Sequence, residues 1–187
     1  MAQPDDDAMS GPDTGTIEIK VEKTGQLFDT LDPLPFRERD LDREAEDYIL
    51  DWARELPHKA PIRIIVHLPA AEAQTEQARM LGQSIKRYFH YRAEAALRER
   101  RELFRTGRFS LLIGVSMLTA CIAGGRFLAA TVTVGHLGEI LNEGLIILGW
   151  VANWRPIEIF LHDWWPILWR RRLYQRLAAA EITVAAR

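Results

Sequence analysis

Two apolar stretches constrain the fold of this chain more than any other feature of its sequence. From Phe109 to Gly125 seventeen consecutive residues carry no charge, and apolar character resumes after Arg126. A helix over 109–131 would be about 34 Å long and one over 137–154 about 27 Å, against a hydrocarbon core of about 30 Å. The sequence therefore predicts two transmembrane helices, which form an antiparallel hairpin because the linker between them is short.

Positive charge lies at both outer ends of this predicted hairpin. Five arginines precede the first span (Arg98, Arg100, Arg101, Arg105 and Arg108), and Arg155 and Arg170–Arg172 follow the second. The connecting segment, 127–138, carries no Asp, Glu, Lys or Arg. Because cytoplasmic flanks are enriched in Lys and Arg, this distribution predicts that both termini face the cytoplasm.

The segment from Gly149 to Leu177 holds five of the six tryptophans. Ile157, Phe160, Leu161, Trp164 and Leu168 recur at helical spacing, which predicts an amphipathic helix over 156–177 lying in the membrane interface, with an interruption at Pro166. Tryptophan belts and arginines contact headgroups, and each cation near an anionic surface contributes about 1 kcal/mol. The predicted membrane-interface residues are Trp150, Trp154, Trp164, Trp165, Trp169, Arg170, Arg171 and Arg172.

The rest of the chain predicts a small cytosolic α/β domain. Strict alternation of apolar and polar residues predicts strands over 16–22, 62–68 and 181–186, the last within a C-terminal segment 180–187 that returns to the domain over 16–105. The first intervening helix presents Ala45, Ile49, Trp52, Ala53 and Leu56 on one face. Residues 70–105 predict one long helix that runs towards the first span, with a buried stripe of Ala78, Leu81, Ile85, Tyr88 and Phe89. The fold class is therefore α+β, a small sheet combined with a transmembrane hairpin, 109–154, and an interfacial helix.

Charge is unevenly distributed along the chain. Residues 1–57 carry sixteen acidic and six basic side chains, whereas residues 58–108 carry eleven basic and five acidic ones. The acidic segment 1–15, which contains Gly and Pro, is predicted to be disordered. The single cysteine, Cys121, excludes an internal disulfide and a cysteine-rich metal site, and its apolar surroundings predict a packed thiol.

Three segments carry a family resemblance: "LFDTLDPLPFRERDLD", "EDYILDWAREL" and "GWVANWRPIEIFLHDWWPILWRRRLYQRL". They resemble a family of uncharacterised bacterial two-span membrane proteins of about this length. The resemblance covers most of residues 16–187 and is strongest over 144–177. It implies a location in the bacterial inner (plasma) membrane, and it implies no activity, cofactor or catalytic residue.

Ionisable and polar residues inside the predicted spans form one candidate site. They are Arg126, Glu139, Asn142 and Glu143, and an ionisable group within a membrane is a functional hypothesis by default. Arg126 lies nearly level with Glu139 in an antiparallel hairpin, so a clasp in which Arg126 is shared between the two carboxylates is the structural interpretation. A pathway through the membrane is the alternative.

No residue set predicts a reaction. Glu158, His162 and Asp163 could serve acid–base chemistry at the membrane surface, but no nucleophile accompanies them, and the sequence predicts no catalytic residue, cofactor or metal site. The basic segment before the first span is interpreted as a topology and lipid signal and not as a nucleic-acid site. A surface for a protein partner is predicted in the acidic N-terminal half, at Asp40, Asp42, Glu44, Glu46 and Asp47.

Three functional classes follow. The favoured one is a non-enzymatic inner-membrane protein whose cytosolic module binds or positions a partner, or senses the membrane. The second is a component of a small oligomeric channel or transporter, which would use Arg126, Asn142 and Glu143. The third is a lipid-directed enzyme. Homo-oligomerisation is left open.

Overall fold

A computed structural model describes residues 15–57, 60–131 and 136–187. The chain divides into two compact units. The first comprises the described residues up to Glu94 together with Arg170–Arg187, and the second comprises Ala95–Trp169. The tail predicted over 1–15 lies outside the described residues except for Gly15, as do four residues of the linker between the predicted spans.

The first unit contains a three-stranded parallel sheet with the order β1-β2-β3. The strands are β1, Thr16–Lys20; β2, Arg63–Leu68; and β3, Glu181–Ala186. The prediction that the C-terminal strand completes the N-terminal sheet is confirmed, because β3 pairs with β2 along its whole length. The central strand is thus bordered by the first and the last strand of the chain.

Strand alternation separates the two faces of the sheet. Ile17, Ile64 and Ile182 are register partners, and the next apolar row is Ile19, Val66 and Val184. Ile17, Ile64 and Val66 are almost fully buried, whereas Glu18 and Thr183 on the other face are exposed. Because alternate residues point to opposite faces, the apolar residues form a core on one side only. A parallel sheet with a polar outer face is unusual.

Three helical elements cover this core within the first unit, and the last helix of the described chain contributes Tyr174 and Leu177. Helix α1, Arg43–Glu55, contributes Ile49, Leu50, Ala53 and, at its C-cap, Leu56. The predicted stripe on the long helix, Ala78 to Phe89, is confirmed as buried. One expectation was wrong: Trp52 is 41% exposed, and Leu50 and Glu46 lie in the interior instead.

Between β1 and α1 the chain forms an ordered loop. A single turn of 3-10 helix, Thr24–Leu27, is followed by an isolated antiparallel bridge between Phe28 and Leu41. Asp32 organises the segment between them, since its carboxylate accepts hydrogen bonds from the backbone N–H of Leu34 (3.0 Å) and Asp40 (2.8 Å). These bonds lower the pKa of Asp32.

Two helical stretches are long and apolar enough to cross a membrane. After the short α2, Ala70–Ala73, helix α3 runs from Glu76 to Thr131, so the predicted long helix and the first predicted span form one element of 56 residues. The second stretch, Gly138–Ala178, begins within helix α4, Leu137–Ala152. In the most apolar windows of the two stretches, 17% and 22% of the residues are buried.

The chain after α4 remains helical to residue 178. Helix α5, Trp154–Glu158, leads into a π-helical turn, Ile159–Asp163, and then into α6, Trp164–Ala178. The interruption expected at Pro166 was wrong, because α6 continues through it. Proline removes one i→i−4 hydrogen bond, and the widened turn lies directly before it. The helix was predicted to end at 177, and it ends at Ala178. Its residues from Arg170 onward belong to the first unit.

Candidate functional site

The predicted membrane-interface residues differ in exposure. Trp150 and Trp154 are 62% and 70% exposed, and Trp165 and Trp169 are about half exposed. Trp164 is partly buried, and its indole Nε1 donates to the backbone carbonyl of Phe160 (2.9 Å). Arg170 and Arg172 are exposed, and Arg171 is half-buried. The helix therefore presents large aromatic side chains outward before its arginines.

The structure does not form the clasp expected around Arg126. Arg126 is exposed and, among the described residues, makes no ion pair with Glu139 or Glu143. Glu139 instead approaches His136, with 3.1 Å between its Oε2 and the imidazole Nδ1. Glu143 is also exposed. Three of the four residues of this candidate site therefore lie on the outside of the second unit.

The fourth residue, Asn142, belongs to the packing between the helices of the second unit. Its Oδ1 lies so close to Gly125 that a Cβ added there would collide with it. Eleven residues further along, Asn153 lies against Gly114 in the same way, with its Oδ1 2.7 Å from an added Cβ. Each asparagine thus needs a glycine on the facing helix, as small residues permit close approach of helices.

Asn153 is the better satisfied of the two asparagines. It is 7% exposed, and its Nδ2 donates to the carbonyls of Gly114 (3.0 Å) and Gly149 (2.9 Å). The first bond joins α3 to the end of the second helix. By contrast, the Oδ1 of Asn142 is buried and has no hydrogen-bond partner within the described residues. Sequence analysis missed Asn153, because its partner Gly114 lies on the facing helix, 39 residues away in sequence.

Arg155 pairs with the carboxylates of the proposed acid–base set, Glu158, His162 and Asp163. The Nη1 of Arg155 lies 2.9 Å from Glu158 Oε2 and 3.1 Å from Asp163 Oδ2. Both carboxylates are therefore engaged by one guanidinium group, and they do not converge on the imidazole. No group of three or more His, Cys, Asp and Glu side chains suited to a metal ion occurs in the described parts of the chain.

The acidic residues predicted as a partner surface occupy different environments. Asp40, Glu44 and Asp47 are exposed, and Asp42 caps α1 by accepting from the N–H of Glu44 (2.9 Å). Glu46 is only 8% exposed and so is not part of a surface. Partial loss of hydration at its carboxyl group, together with the neighbouring Asp32, raises the pKa of Asp40.

Glu46 is the centre of a buried polar cluster that sequence analysis missed. Its Oε2 accepts from Tyr88 (2.8 Å), and its Oε1 accepts from Arg92 Nε (3.0 Å) and Tyr174 (3.3 Å). The guanidinium group of Arg92 lies 5.5 Å from the Tyr174 ring centre. Burial and the bond to Glu46 raise the pKa of Tyr88. The cluster joins α1, α3 and α6, and no local pattern marks it because its members are up to 128 residues apart.

A cleft of about 300 Å³ lies between the loop segment 34–40 and α3. Arginines from both elements line it, together with Ser84, Tyr88 and Tyr91. Arg37 Nη2 donates to Gln83 (2.9 Å), and Arg87 Nη2 donates to Glu38 (3.1 Å). A second cavity of about 540 Å³ shares Arg37, Ser84 and Arg87 and adds Lys86 and His90. The two cavities therefore meet along a row of basic side chains.

Comparison of the chain with family models, curated proteins and solved structures gave no match. The family resemblance of the tryptophan- and arginine-rich segment accordingly stays a prediction, and the functional argument depends on the geometry of the two units.

Proposed function

We propose that this protein is an integral protein of the bacterial inner membrane, with the second unit inserted as a helical hairpin and the first unit in the cytoplasm. The observation that carries the proposal is the exposure of the apolar helices. Phe109, Leu112, Ile113 and Phe127 on α3 are 63–70% exposed, so no residue that the structure describes covers them. Exposed apolar surface is unfavourable in water by about 25 cal/mol per Å², and lipid chains remove that penalty.

Helix length and polar content support the bilayer as the covering phase. The portion of α3 beyond Phe109 is about 34 Å long, close to the ~30 Å of a hydrocarbon core. Within both helices the backbone hydrogen bonds are internal, as lipid requires. Asn153 donates to backbone carbonyls, so one of the polar amides in this region is satisfied inside the hairpin.

The cytoplasmic location of the first unit is supported by charge. The arginines at 98–108 and 170–172 flank the two apolar stretches on the side of the chain ends. The pairing of β3 with β2 requires the two ends of the hairpin to return to the same compartment. An even number of spans meets this requirement.

We further propose that the first unit is a non-enzymatic module that binds or positions a protein partner. The exposed carboxylates of Glu44 and Asp47 on α1 form the contact surface. The support is chemical: the carboxylates next to His162 are held by Arg155, and Glu46 is held by Tyr88, Arg92 and Tyr174, so these groups serve structure. We also expect the arginines that follow Trp169 to contact anionic lipid headgroups.

The channel alternative has one observation in its favour. The buried Oδ1 of Asn142 lacks a partner among the described residues, and a second subunit or a permeating solute would supply one. This alternative requires several copies of the chain around one axis. A monomeric mass in mild detergent and in native nanodiscs would exclude it.

Membrane extraction and topology mapping test the proposal. The protein should resist carbonate extraction, and reporters fused after Arg187 and before Met1 should both be active only in the cytoplasm. As a matched comparison, a reporter inserted after His136 should be active only outside. Full release by carbonate, or a periplasmic C-terminal reporter, would contradict the membrane arrangement.

A charge-reversal experiment tests the partner surface separately. Photo-crosslinking in native membranes from a residue next to Asp47 should give a reproducible adduct that Asp47→Lys removes. Glu55→Lys, at the other end of the same helix, should leave the adduct in place. Equal loss with both variants would indicate general electrostatic attraction and not a specific surface.

A further inference from the structure

We propose that the cleft between the loop segment 34–40 and α3 is a binding site for a phosphate monoester. This inference concerns the first unit alone. It does not depend on the proposed membrane arrangement or on the proposed protein partner. Three features of the described residues support it: the charge of the lining, an unpartnered hydroxyl group, and the match between guanidinium groups and phosphate oxygens.

The lining is positively charged, although the loop segment 34–40 lies within the acidic residues 1–57. Four cationic side chains line the two cavities, and only two carboxylates, Glu38 and Asp40, oppose them. The cations are Arg37, Arg39, Lys86 and Arg87. A dianion would therefore balance the charge of the site.

Ser84 is the second feature. It lines both cavities, it is 3% exposed, and its Oγ has no hydrogen-bond partner within the described residues. Helical serines commonly donate to the carbonyl one turn earlier, and this one does not. A buried hydroxyl group without a partner is unfavourable. The Nε of Arg39 is unpartnered in the same way. Two donors with no acceptor therefore border one cleft.

Phosphate fits these donors better than a simple carboxylate does. A guanidinium group presents its N–H groups in a planar fork that matches two oxygens of one phosphate. A monoester has three such oxygens, enough for Arg37, Arg39 and Ser84 together. Leu34 and Tyr91 on the rim are about half exposed, and they offer apolar and aromatic surface for the organic part of the ester. A free phosphorylated metabolite and a lipid headgroup share this chemistry.

Calorimetric titration of the full-length protein in detergent micelles tests the site. Inorganic phosphate and phosphoserine should bind, and Arg37→Gln and Ser84→Ala should each weaken binding by about tenfold. Arg54→Gln is the matched control, because Arg54 is an exposed arginine whose ion pair with Asp51 lies outside the cleft. The urea midpoint of each variant, measured without phosphate, verifies folding. Since Ser84→Ala removes only an unpaired hydroxyl, that variant should fold as well as the parent.

A second experiment distinguishes a soluble phosphorylated metabolite from a lipid headgroup as the source of the phosphate. Nanodiscs that contain phosphatidic acid, a monoester lipid, are compared with nanodiscs that contain phosphatidylglycerol, a diester of the same headgroup region. Binding of soluble phosphoserine assigns the site to a metabolite, and selective binding of phosphatidic acid assigns it to a headgroup. Three results would overturn the proposal: no binding in either arm, equal affinity for acetate, or unchanged affinity in a folded Ser84→Ala variant.

Discussion

Replacing Glu46 by Gln should destabilise the first unit by about 3 kcal/mol. The carboxylate accepts from Tyr88 on one oxygen and from Arg92 and Tyr174 on the other. The glutamine side chain has an NH2 group in place of one carboxylate oxygen. That NH2 group faces a donor, which is the Tyr88 hydroxyl on one side or the Arg92 guanidinium and Tyr174 hydroxyl on the other. Hydrogen bonds to a charged group are each worth about 1.5–3 kcal/mol. The loss stays near 3 kcal/mol because the Arg92 side chain is 40% exposed and can be rehydrated.

The chain contains a matched control for this measurement. Glu38 also pairs with an arginine of α3, Arg87, at 3.1 Å, but both side chains are about half exposed. An exposed pair contributes about 0–1 kcal/mol, so Glu38→Gln should be nearly neutral. Urea denaturation followed by circular dichroism gives the free energy of unfolding of each variant. The double variant Glu46→Gln with Arg92→Met should show a coupling energy of about 1–2 kcal/mol. If Glu46→Gln costs no more than Glu38→Gln, the buried cluster does not stabilise the fold.

Three further predictions concern other parts of the chain. The backbone N–H and the hydroxyl group of Thr24 both donate to Glu72, and these bonds lower the pKa of that carboxyl group. The free energy of unfolding should therefore fall as the pH drops below the usual 4.5. In acid titrations of stability, Glu72→Gln should flatten this pH dependence. Gly149→Ala places a Cβ 3.0 Å from the backbone Cα of Leu118 and 2.7 Å from its Cδ1, and it should lower the free energy of unfolding of the hairpin by about 1–3 kcal/mol. Gly144→Ala, whose Cβ meets nothing within 4 Å, should not lower it. Deleting 181–187 should lower the melting temperature of the first unit. Deleting Arg187 alone removes one backbone bond to Leu68 and an exposed ion pair with Glu22, so it should lower the melting temperature much less. Equal melting of the parent and the 181–187 deletion would show that β3 is dispensable.

Sequence patterns predicted the strands and the long helices because these depend on local periodicity. The alternation around Ile64 and the helical stripe that ends at Phe89 each lie within one element, and both were confirmed. The exposed position of Trp52 was not predictable from spacing. The orientation of the helix is set by the burial of Glu46 and Leu50. The burial of Glu46 depends in turn on its bonds to Arg92 and Tyr174, which are distant in sequence.

The candidate sites show the same division. The sequence marked Asn142 as polar within an apolar stretch, but it gave no reason to select Asn153 or to join either residue with Gly114 or Gly125. Arg126 and Glu139 were expected to pair because they lie at similar heights in an ideal hairpin. Height along a helix does not fix the direction in which a side chain points, and in the structure Glu139 approaches His136 instead.

The position of β3 has a consequence for the biogenesis of the protein. The ribosome makes β1 and β2 first, but one edge of β2 stays open until β3 emerges, after the second unit. An unpaired strand edge is prone to aggregate. In the proposed membrane arrangement, a chain that inserts only one span delivers β3 to the wrong compartment and never closes the sheet. In that arrangement, closure of the sheet depends on correct insertion of both spans, and a misinserted chain keeps an aggregation-prone strand edge.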